Sequence, residues 1–160
     1  MIFTIAGSNS SVSINQEVAK EISKNLCCFY YDTRRINIPV YNRDLKVISE
    51  ISNLYNLICE YNTIIFVVPE YNGSLSSFFK NIVDELSIYN KSFLSSKQVF
   101  IVSATPGSRG GASVLEKTGE MFKHFGANIV STYGIANYES LSENISQIEK
   151  ICEDIKKRVM

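Results

Sequence analysis

Three loops rich in glycine, serine, proline and asparagine carry the residues of this sequence that are best suited to binding a ligand. They cover residues 7–15 (GSNSSVSIN), 69–74 (PEYNGS) and 103–111 (SATPGSRGG), and each follows or ends a strongly apolar stretch. Ligands of open α/β sheets bind outside the carboxyl ends of the strands. If the three apolar stretches are neighbouring strands, the three loops form one site.

The first loop, residues 7–15, has the chemistry of an anion site. Backbone N–H groups at a helix N-terminus attract an anion, and serine hydroxyls add further donors. The loop has neither the GxGxxG nor the GxxxxGK[ST] pattern, and a single phosphate monoester suits it better. The side chains proposed to hold that phosphate are Ser8, Ser10, Ser13 and Asn15. A capped turn without a ligand is the alternative, since serine and asparagine are ordinary helix caps.

The second loop, residues 69–74, offers groups suited to a planar ring. Pro69 stiffens the exit from the strand, and Tyr71 provides a flat amphipathic face. Asn72 and the backbone amides around Gly73 can reach the polar edge of such a ring. The alternative is a β-turn that exposes a tyrosine.

The third loop, residues 103–111, is rich in glycine, which lets the backbone approach a ligand closely. Arg109 offers a charge to a ligand or to a partner subunit, although a solvated loop arginine needs no special role. Gly110 and Gly111 are assigned to the turn from the loop into the following helix.

Strands and helices alternate along the whole chain. Apolar runs predict strands over residues 1–6, 27–31, 63–68, 98–104 and 127–135. Apolar residues at helical spacing predict helices over residues 14–26, 47–61, 75–89, 112–126 and 141–158. Repeated βα units pack as a parallel sheet with helices on both faces. The 160 residues are expected to form a single α/β domain, residues 1–160.

Composition narrows the function classes. Acidic and basic residues balance at 16 each, so the chain lacks the basic footprint that nucleic acids and anionic membranes require. No segment has the features of a signal peptide or a membrane span, which predicts a cytoplasmic protein. The four cysteines are then expected to be thiols. One histidine and no CxxC pair predict no metal site.

Taken together, the three loops resemble those of the NADPH-dependent FMN reductase family. The motifs are GSxxxxSxN in the first loop, PEYNGS followed by Lys80 and Asn81, and SATPGSRGGA. Residues 41–45 (YNRDL) also resemble the family's loop after the second strand. The motifs occur in the family's order and span nearly the whole chain. VPEYNGS with the following KN is the most specific of them.

The resemblance implies a flavodoxin-like three-layer sandwich with a five-stranded parallel sheet in the order 2-1-3-4-5. It implies FMN as cofactor, NADPH or NADH as electron donor, and a small-molecule electron acceptor such as a quinone, a free flavin, an azo compound or a metal oxyanion. A homodimer or homotetramer is expected by the same analogy. The implied FMN-binding residues are Ser8, Ser10, Ser13, Ile14 and Asn15 at the phosphate, and Pro69, Glu70, Tyr71, Asn72, Gly73, Ser103, Thr105 and Gly107 around the ring.

The chain departs from the family pattern at two positions. Many members have arginine where this chain has Ser10, and here no basic residue occurs in the first loop. Glu85 stands where a tryptophan is often found. Two alternatives remain open beside the reductase: an electron carrier of flavodoxin type without NAD(P)H activity, and, because the arginine is missing, a binding domain of the same fold without a flavin.

The implied mechanism requires no catalytic side chain, because the flavin carries the chemistry and the protein positions it. Donor and acceptor are expected to use one slot in turn, which predicts ping-pong kinetics. His124, late in a predicted helix, is assigned a structural or solvated role.

Overall fold

The computed structural model describes residues 1–42, 44 and 48–159, and their main feature is a parallel sheet of five strands. The order across the sheet is β2-β1-β3-β6-β7, which confirms the predicted order 2-1-3-4-5, because β6 and β7 are the fourth and fifth predicted strands. A separate hairpin pairs β4 with β5. The strands are β1 (Ile2–Ala6), β2 (Phe29–Tyr31), β3 (Thr63–Val67), β4 (Glu70–Tyr71), β5 (Ser74–Leu75), β6 (Gln98–Ala104) and β7 (Asn128–Ile135).

Helices cover both faces of the sheet, as the alternation of strands and helices predicts. On one face α1 and α5 pack together, and on the other lie α2, α3 and α4. Within the described part of the chain, no helix is long and apolar enough to cross a membrane. The helices are α1 (Ile14–Asn25), α2 (Ser49–Glu60), α3 (Ser77–Tyr89), α4 (Ala112–His124) and α5 (Leu141–Val159), with a short 3₁₀ turn at Thr33–Arg35.

The central strand β3 is buried along its whole length. Its side chains alternate, so that Phe66 packs with the rings of Phe79 and Phe122 on one face, while Ile65 packs with the α1–α5 layer on the other. Full burial of such side chains stabilises the fold by about 1.5–3 kcal/mol each. The carboxyl end of β3 is thereby held rigidly at the edge where the three loops begin.

The strand β2 is shorter than the predicted strand over residues 27–31. Cys27 adopts the left-handed conformation, with φ of 49°. Its N–H donates to the carbonyl of Lys24, and the N–H of Cys28 donates to that of Ser23. These bonds form a Schellman cap of α1, so the two cysteines end a helix before the strand begins.

The loop at residues 69–74, predicted to be turn-rich, contains the β4–β5 hairpin. Asn72 and Gly73 both have positive φ, 53° and 70°, and two such residues form the type I′ turn that Asn-Gly favours. Residues 74 and 75 belong to β5, and Ser76 caps α3 through a bond from the N–H of Phe79. The predicted start of that helix at residue 75 was therefore two residues early.

The segment between β2 and α2 is only partly described. Asn81 of α3 accepts a hydrogen bond from the N–H of Tyr41 and donates one to the carbonyl of Pro39. The family-like YNRDL segment lies partly outside the described residues, which do not include Arg43 and Leu45. The first residue of the helix predicted over 47–61, Val47, also lies outside them.

Candidate functional site

The three loops meet at one cleft of about 200 Å³. They leave the carboxyl ends of β1, β3 and β6, which are adjacent in the sheet. The arrangement matches the expectation from the sequence that neighbouring strands bring the loops together. The residues that line this first cleft are Ser8, Ser10, Val12, Ser13, Ile14, Asn15, Pro69, Glu70, Tyr71, Ala104, Thr105 and Pro106.

A second cleft, of about 360 Å³, adjoins the first. Glu70 and Thr105 line both. Arg109 is the basic residue of its lining, and Glu70 is the acidic one. The complete lining is Glu70, Asn72, Thr105, Gly107, Ser108, Arg109 and Gly111.

The first loop presents hydroxyls and N–H groups at the start of α1. Ser13 caps the helix by accepting a bond from the N–H of Gln16. Ser8 and Ser10 accept longer bonds, 3.4 and 3.3 Å, from N–H groups of their own loop. Among the described residues, none accepts a hydrogen bond from the N–H of Ser13, Ile14 or Asn15. These N–H groups are available to an anion.

Asn15 joins the first loop to the third. Its amide donates to the carbonyl of Ala104 and accepts from the N–H of Ala104, each bond 3.0 Å long. The side chain is buried, with 4% of its surface exposed. Although Asn15 lines the first cleft, this pair of bonds makes it a clamp between α1 and the end of β6.

The β4–β5 hairpin contributes the most exposed wall. The Tyr71 side chain lines the first cleft and remains 50% exposed. The turn residue Gly73 lines neither cleft, but its carbonyl accepts a 2.7 Å bond from Lys117 Nζ of α4. The hairpin, proposed from the sequence to line a planar ring, is thus attached to α4 through its turn.

The third loop is held by the segment that follows β7. The N–H of Thr105 donates to Ile135, and the N–H of Tyr138 donates back to Thr105. The Tyr138 hydroxyl also donates to Glu17 of α1. Burial and this carboxylate raise the pKa of Tyr138 to about 12, so the phenol keeps the proton of that bond at neutral pH.

Ser103 lies beneath the third loop and lines neither cleft. Its side chain is fully buried, and its hydroxyl has no partner within the described residues. A Cβ added to Gly111, the residue before α4, would lie 2.2 Å from Ser103 Oγ. The small residues at both positions allow α4 to begin close to the end of β6.

Two further residues considered in the sequence, His124 and Glu85, line neither cleft. His124 is exposed at the end of α4. Glu85 is buried in α3, and burial, together with the neighbouring Asp84, raises the pKa of its carboxyl. Among residues 1–42, 44 and 48–159, no cluster of His, Cys, Asp and Glu is arranged to hold a metal ion.

Several residues that shape the site were missed from the sequence. Val12, Ala104, Pro106 and Ser108 line the clefts. The hydroxyl of Thr33, in the 3₁₀ turn after β2, contacts the carbonyls of Ala6 at the end of β1 and of Ser8 in the first loop. The rule that ligands bind at the carboxyl ends of strands would have directed attention to this turn as well.

The sequence is similar to a known protein family and to individual proteins. The sequence matches the profile described as NADPH-dependent FMN reductase over residues 1–140. An uncharacterized protein of Mycoplasma pneumoniae is 30% identical over 138 residues, which are 81% of this chain and 83% of that protein. A quinone reductase of Pseudomonas putida is 30% identical over 117 residues, 69% of this chain and 62% of its own length.

The fold is shared with solved structures. A flavoenzyme NAD(P)H:(acceptor) oxidoreductase from Paracoccus denitrificans superimposes with a TM-score of 0.80. The alignment covers 96% of this chain and 93% of that chain at 18% identity. Similarity at this level of identity demonstrates a common architecture.

Proposed function

This chain belongs to the NADPH-dependent FMN reductase family, and we propose on that premise that its first cleft holds FMN and its second cleft receives the substrates. Family membership makes the chain an NAD(P)H-dependent oxidoreductase with FMN as cofactor. The observation that carries the proposed placement is the convergence of three loops on one cleft at the carboxyl ends of β1, β3 and β6.

The first loop fits the phosphate of FMN. The unpaired N–H groups of Ser13, Ile14 and Asn15 stand in the first turn of α1, where the helix dipole favours an anion by about 0.3–1 kcal/mol. The hydroxyls of Ser8 and Ser10 lie in the same lining and add donors. The loop has no basic residue, so binding of the phosphate would depend on these neutral donors.

The hairpin and the third loop fit a planar ring. Pro69 and Tyr71 line the first cleft from the hairpin side, and Thr105 lines it from the third loop. Where Gly107 lies, an added Cβ would have no atom within 4 Å. That open space leaves the second cleft accessible beside the proposed ring site.

Bound FMN supplies the hydride chemistry of the reaction. The residues of this chain would position it and shield it from water. We assign the second cleft to NAD(P)H and then to the acceptor, with Arg109 placed to attract an anionic donor. Use of one cleft by both substrates in turn predicts ping-pong kinetics. His124 lines neither cleft, and no acid–base role is assigned to it.

The acceptor is proposed to be a small molecule such as a quinone, a free flavin, an azo compound or a metal oxyanion. The 30% identity to a quinone reductase of Pseudomonas putida favours quinones as the first compounds to assay.

A homodimer or homotetramer is also proposed. The proposal rests on analogy with the family, and Val12, 87% exposed beside the first cleft, is one apolar side chain that a second copy would cover. Light scattering during size-exclusion chromatography tests it, and a monomer at micromolar concentration would contradict it.

The test of the proposed function is a flavin titration. The purified chain is mixed with FMN, freed of excess, and its visible spectrum is recorded before and after anaerobic addition of NADPH and then NADH. A retained flavin band that bleaches with either donor supports the reductase. A band that persists with both donors indicates an electron carrier, and no retained band indicates a flavin-free domain.

A kinetic measurement separates the proposed order of substrates from its alternatives. Initial rates are measured with NAD(P)H varied at several fixed concentrations of a quinone. Parallel reciprocal lines support alternate use of the second cleft. Intersecting lines would show that donor and acceptor bind together and would overturn the ping-pong scheme.

A further inference from the structure

A chain of hydrogen bonds runs beneath the first loop. The Tyr30 hydroxyl donates to Gln16 Oε1. Gln16 Nε2 donates to the carbonyl of Ser8 and, across 3.2 Å, to Thr33 Oγ1. Thr33 Oγ1 lies 2.6 Å from the carbonyl oxygen of Ala6 and donates its one proton there. Every bond in this hydrogen-bond chain thus pairs one donor with one acceptor.

The inner part of this hydrogen-bond chain is buried, and its geometry is therefore strongly determined. Thr33 is fully buried, and Gln16 is 4% exposed. A buried polar group that loses its partner costs about 1–3 kcal/mol, which favours the fully bonded arrangement. Burial also raises the pKa of Tyr30, so its hydroxyl keeps the proton that it donates.

Three carbonyl oxygens where β1 passes into the first loop, those of Ala6, Gly7 and Ser8, are paired inside the protein. Thr33 and Gln16 bond those of Ala6 and Ser8, and Ser76 bonds that of Gly7 across 3.1 Å. Carbonyl oxygens repel an anion, whereas N–H groups attract it. A loop without a basic residue depends on this orientation more than one that carries an arginine.

We propose that Thr33 and Gln16 are positioning residues for phosphate recognition, which they serve by holding the carbonyls of Ala6 and Ser8, where β1 passes into the first loop, away from the bound phosphate. The inference rests on the proposed function, since it assumes that FMN occupies the first cleft. It accounts for how a loop with no basic residue can bind a phosphate monoester.

The test compares FMN with riboflavin, which has the same ring and no phosphate. Dissociation constants for both are measured by flavin fluorescence for the unaltered chain, Thr33→Val and Thr33→Ser. Valine has the shape of threonine without the hydroxyl, and serine keeps the hydroxyl. Thr33→Val is expected to weaken FMN binding about tenfold, the equivalent of one hydrogen bond.

The difference between the effects on FMN and on riboflavin binding distinguishes a positioning role of Thr33 from a general structural role. Riboflavin binding is expected to change by less than about twofold in Thr33→Val, and Thr33→Ser is expected to bind FMN within about threefold of the unaltered chain. Equal weakening of both flavins, or no weakening of FMN, would overturn the inference. Failure of the unaltered chain to bind FMN would instead contradict the proposed function.

A second variant keeps the test decisive if Thr33→Val does not fold. Tyr30→Phe removes the first donor of the chain and leaves the bond between Thr33 and Ala6 in place. It is expected to weaken FMN binding about threefold, with riboflavin unchanged, because a single upstream bond is lost. Thermal unfolding of each variant identifies those that are folded, and an equal loss for both flavins in Tyr30→Phe would again overturn the inference.

Discussion

The first loop and the β4–β5 hairpin line the same cleft but are held in different ways. In the first loop Ser8 is 2% exposed and Asn15 is clamped by two bonds to Ala104. In the hairpin Tyr71 is half exposed, and within the described residues its turn accepts one side-chain hydrogen bond, from Lys117. The first loop is therefore anchored in the protein interior, whereas the hairpin lies on the surface.

This difference indicates that the two parts of the site have different roles. Buried, fully bonded backbone is rigid, whereas exposed backbone with few contacts opens at low cost. We expect the first loop to provide a preorganised anion site. We expect the hairpin to adapt as substrates of different shape enter and leave the second cleft.

The largest effect is expected from breaking the Asn15 clamp. Asn15→Leu leaves the N–H and the carbonyl of Ala104 unpaired, at a cost of about 2–4 kcal/mol, which lowers the melting temperature by about 5–15 °C. Asn9 is exposed in the same loop, so Asn9→Leu is the matched control and should melt within about 2 °C of the unaltered chain. Equal melting temperatures for the two variants would contradict the clamp.

A smaller difference is expected between alanine substitutions in the two walls. At Gly7 an added Cβ would lie 2.8 Å from the Phe79 ring, and this overpacking costs about 2–3 kcal/mol. At Gly73 no atom lies within 4 Å, but φ is +70°, which costs an alanine about 1 kcal/mol. Urea unfolding measures both free energies, and a larger loss for Gly73→Ala would reverse the comparison.

Removing the surface bond of the hairpin should change its mobility more than the stability of the fold. Lys117→Met is expected to keep the melting temperature within about 1 °C. Amide hydrogen exchange in β4 and β5 should accelerate about threefold, because the bond from Lys117 to the Gly73 carbonyl is lost. Lys123→Met, on the same helix, serves as the control. Unchanged exchange would show that the bond does not anchor the hairpin.

The smallest effect is expected at Glu85, remote from both walls. Its pKa is raised above the ordinary value of 4.5 by burial and by Asp84. The folded state thus favours the protonated carboxyl, and this stability is present below pH 4.5 and is lost as the pH rises through the raised pKa. Glu85→Gln should increase the melting temperature at pH 7 and leave it unchanged at pH 4. A decrease at pH 7 would contradict the direction of the shift.

Local patterns predicted more of the fold than of the site. The strand over residues 98–104 was predicted with the bounds that the structure has, because a continuous apolar run between turn residues is typical of a buried strand. The hairpin was missed although Asn72 and Gly73 carry a strong signal for it. Its two strands of two residues each are too short to show a hydrophobic period.

For residues of the site, the residue types predicted where a residue lies better than they predicted what its side chain bonds to. Ser103 and Asn15 were both proposed from the sequence as binding residues. Ser103 lies beneath Gly111 and lines neither cleft, while Asn15 lines the first cleft but bonds to Ala104. The role of Asn15 was not available from the first loop alone, because its partner Ala104 lies in another part of the chain.

The sequence by itself determined the alternation of strands and helices, the family, and the three loops of the site, because hydrophobic period and short motifs are local properties. Only the tertiary structure decided which polar groups of those loops remain free for a ligand. The partner of Asn15 is 89 residues away, and the Ala6 carbonyl, just before the first loop, is bonded by Thr33 from the turn after a different strand. Such pairings arise when the sheet brings strand ends together, and no local pattern specifies them.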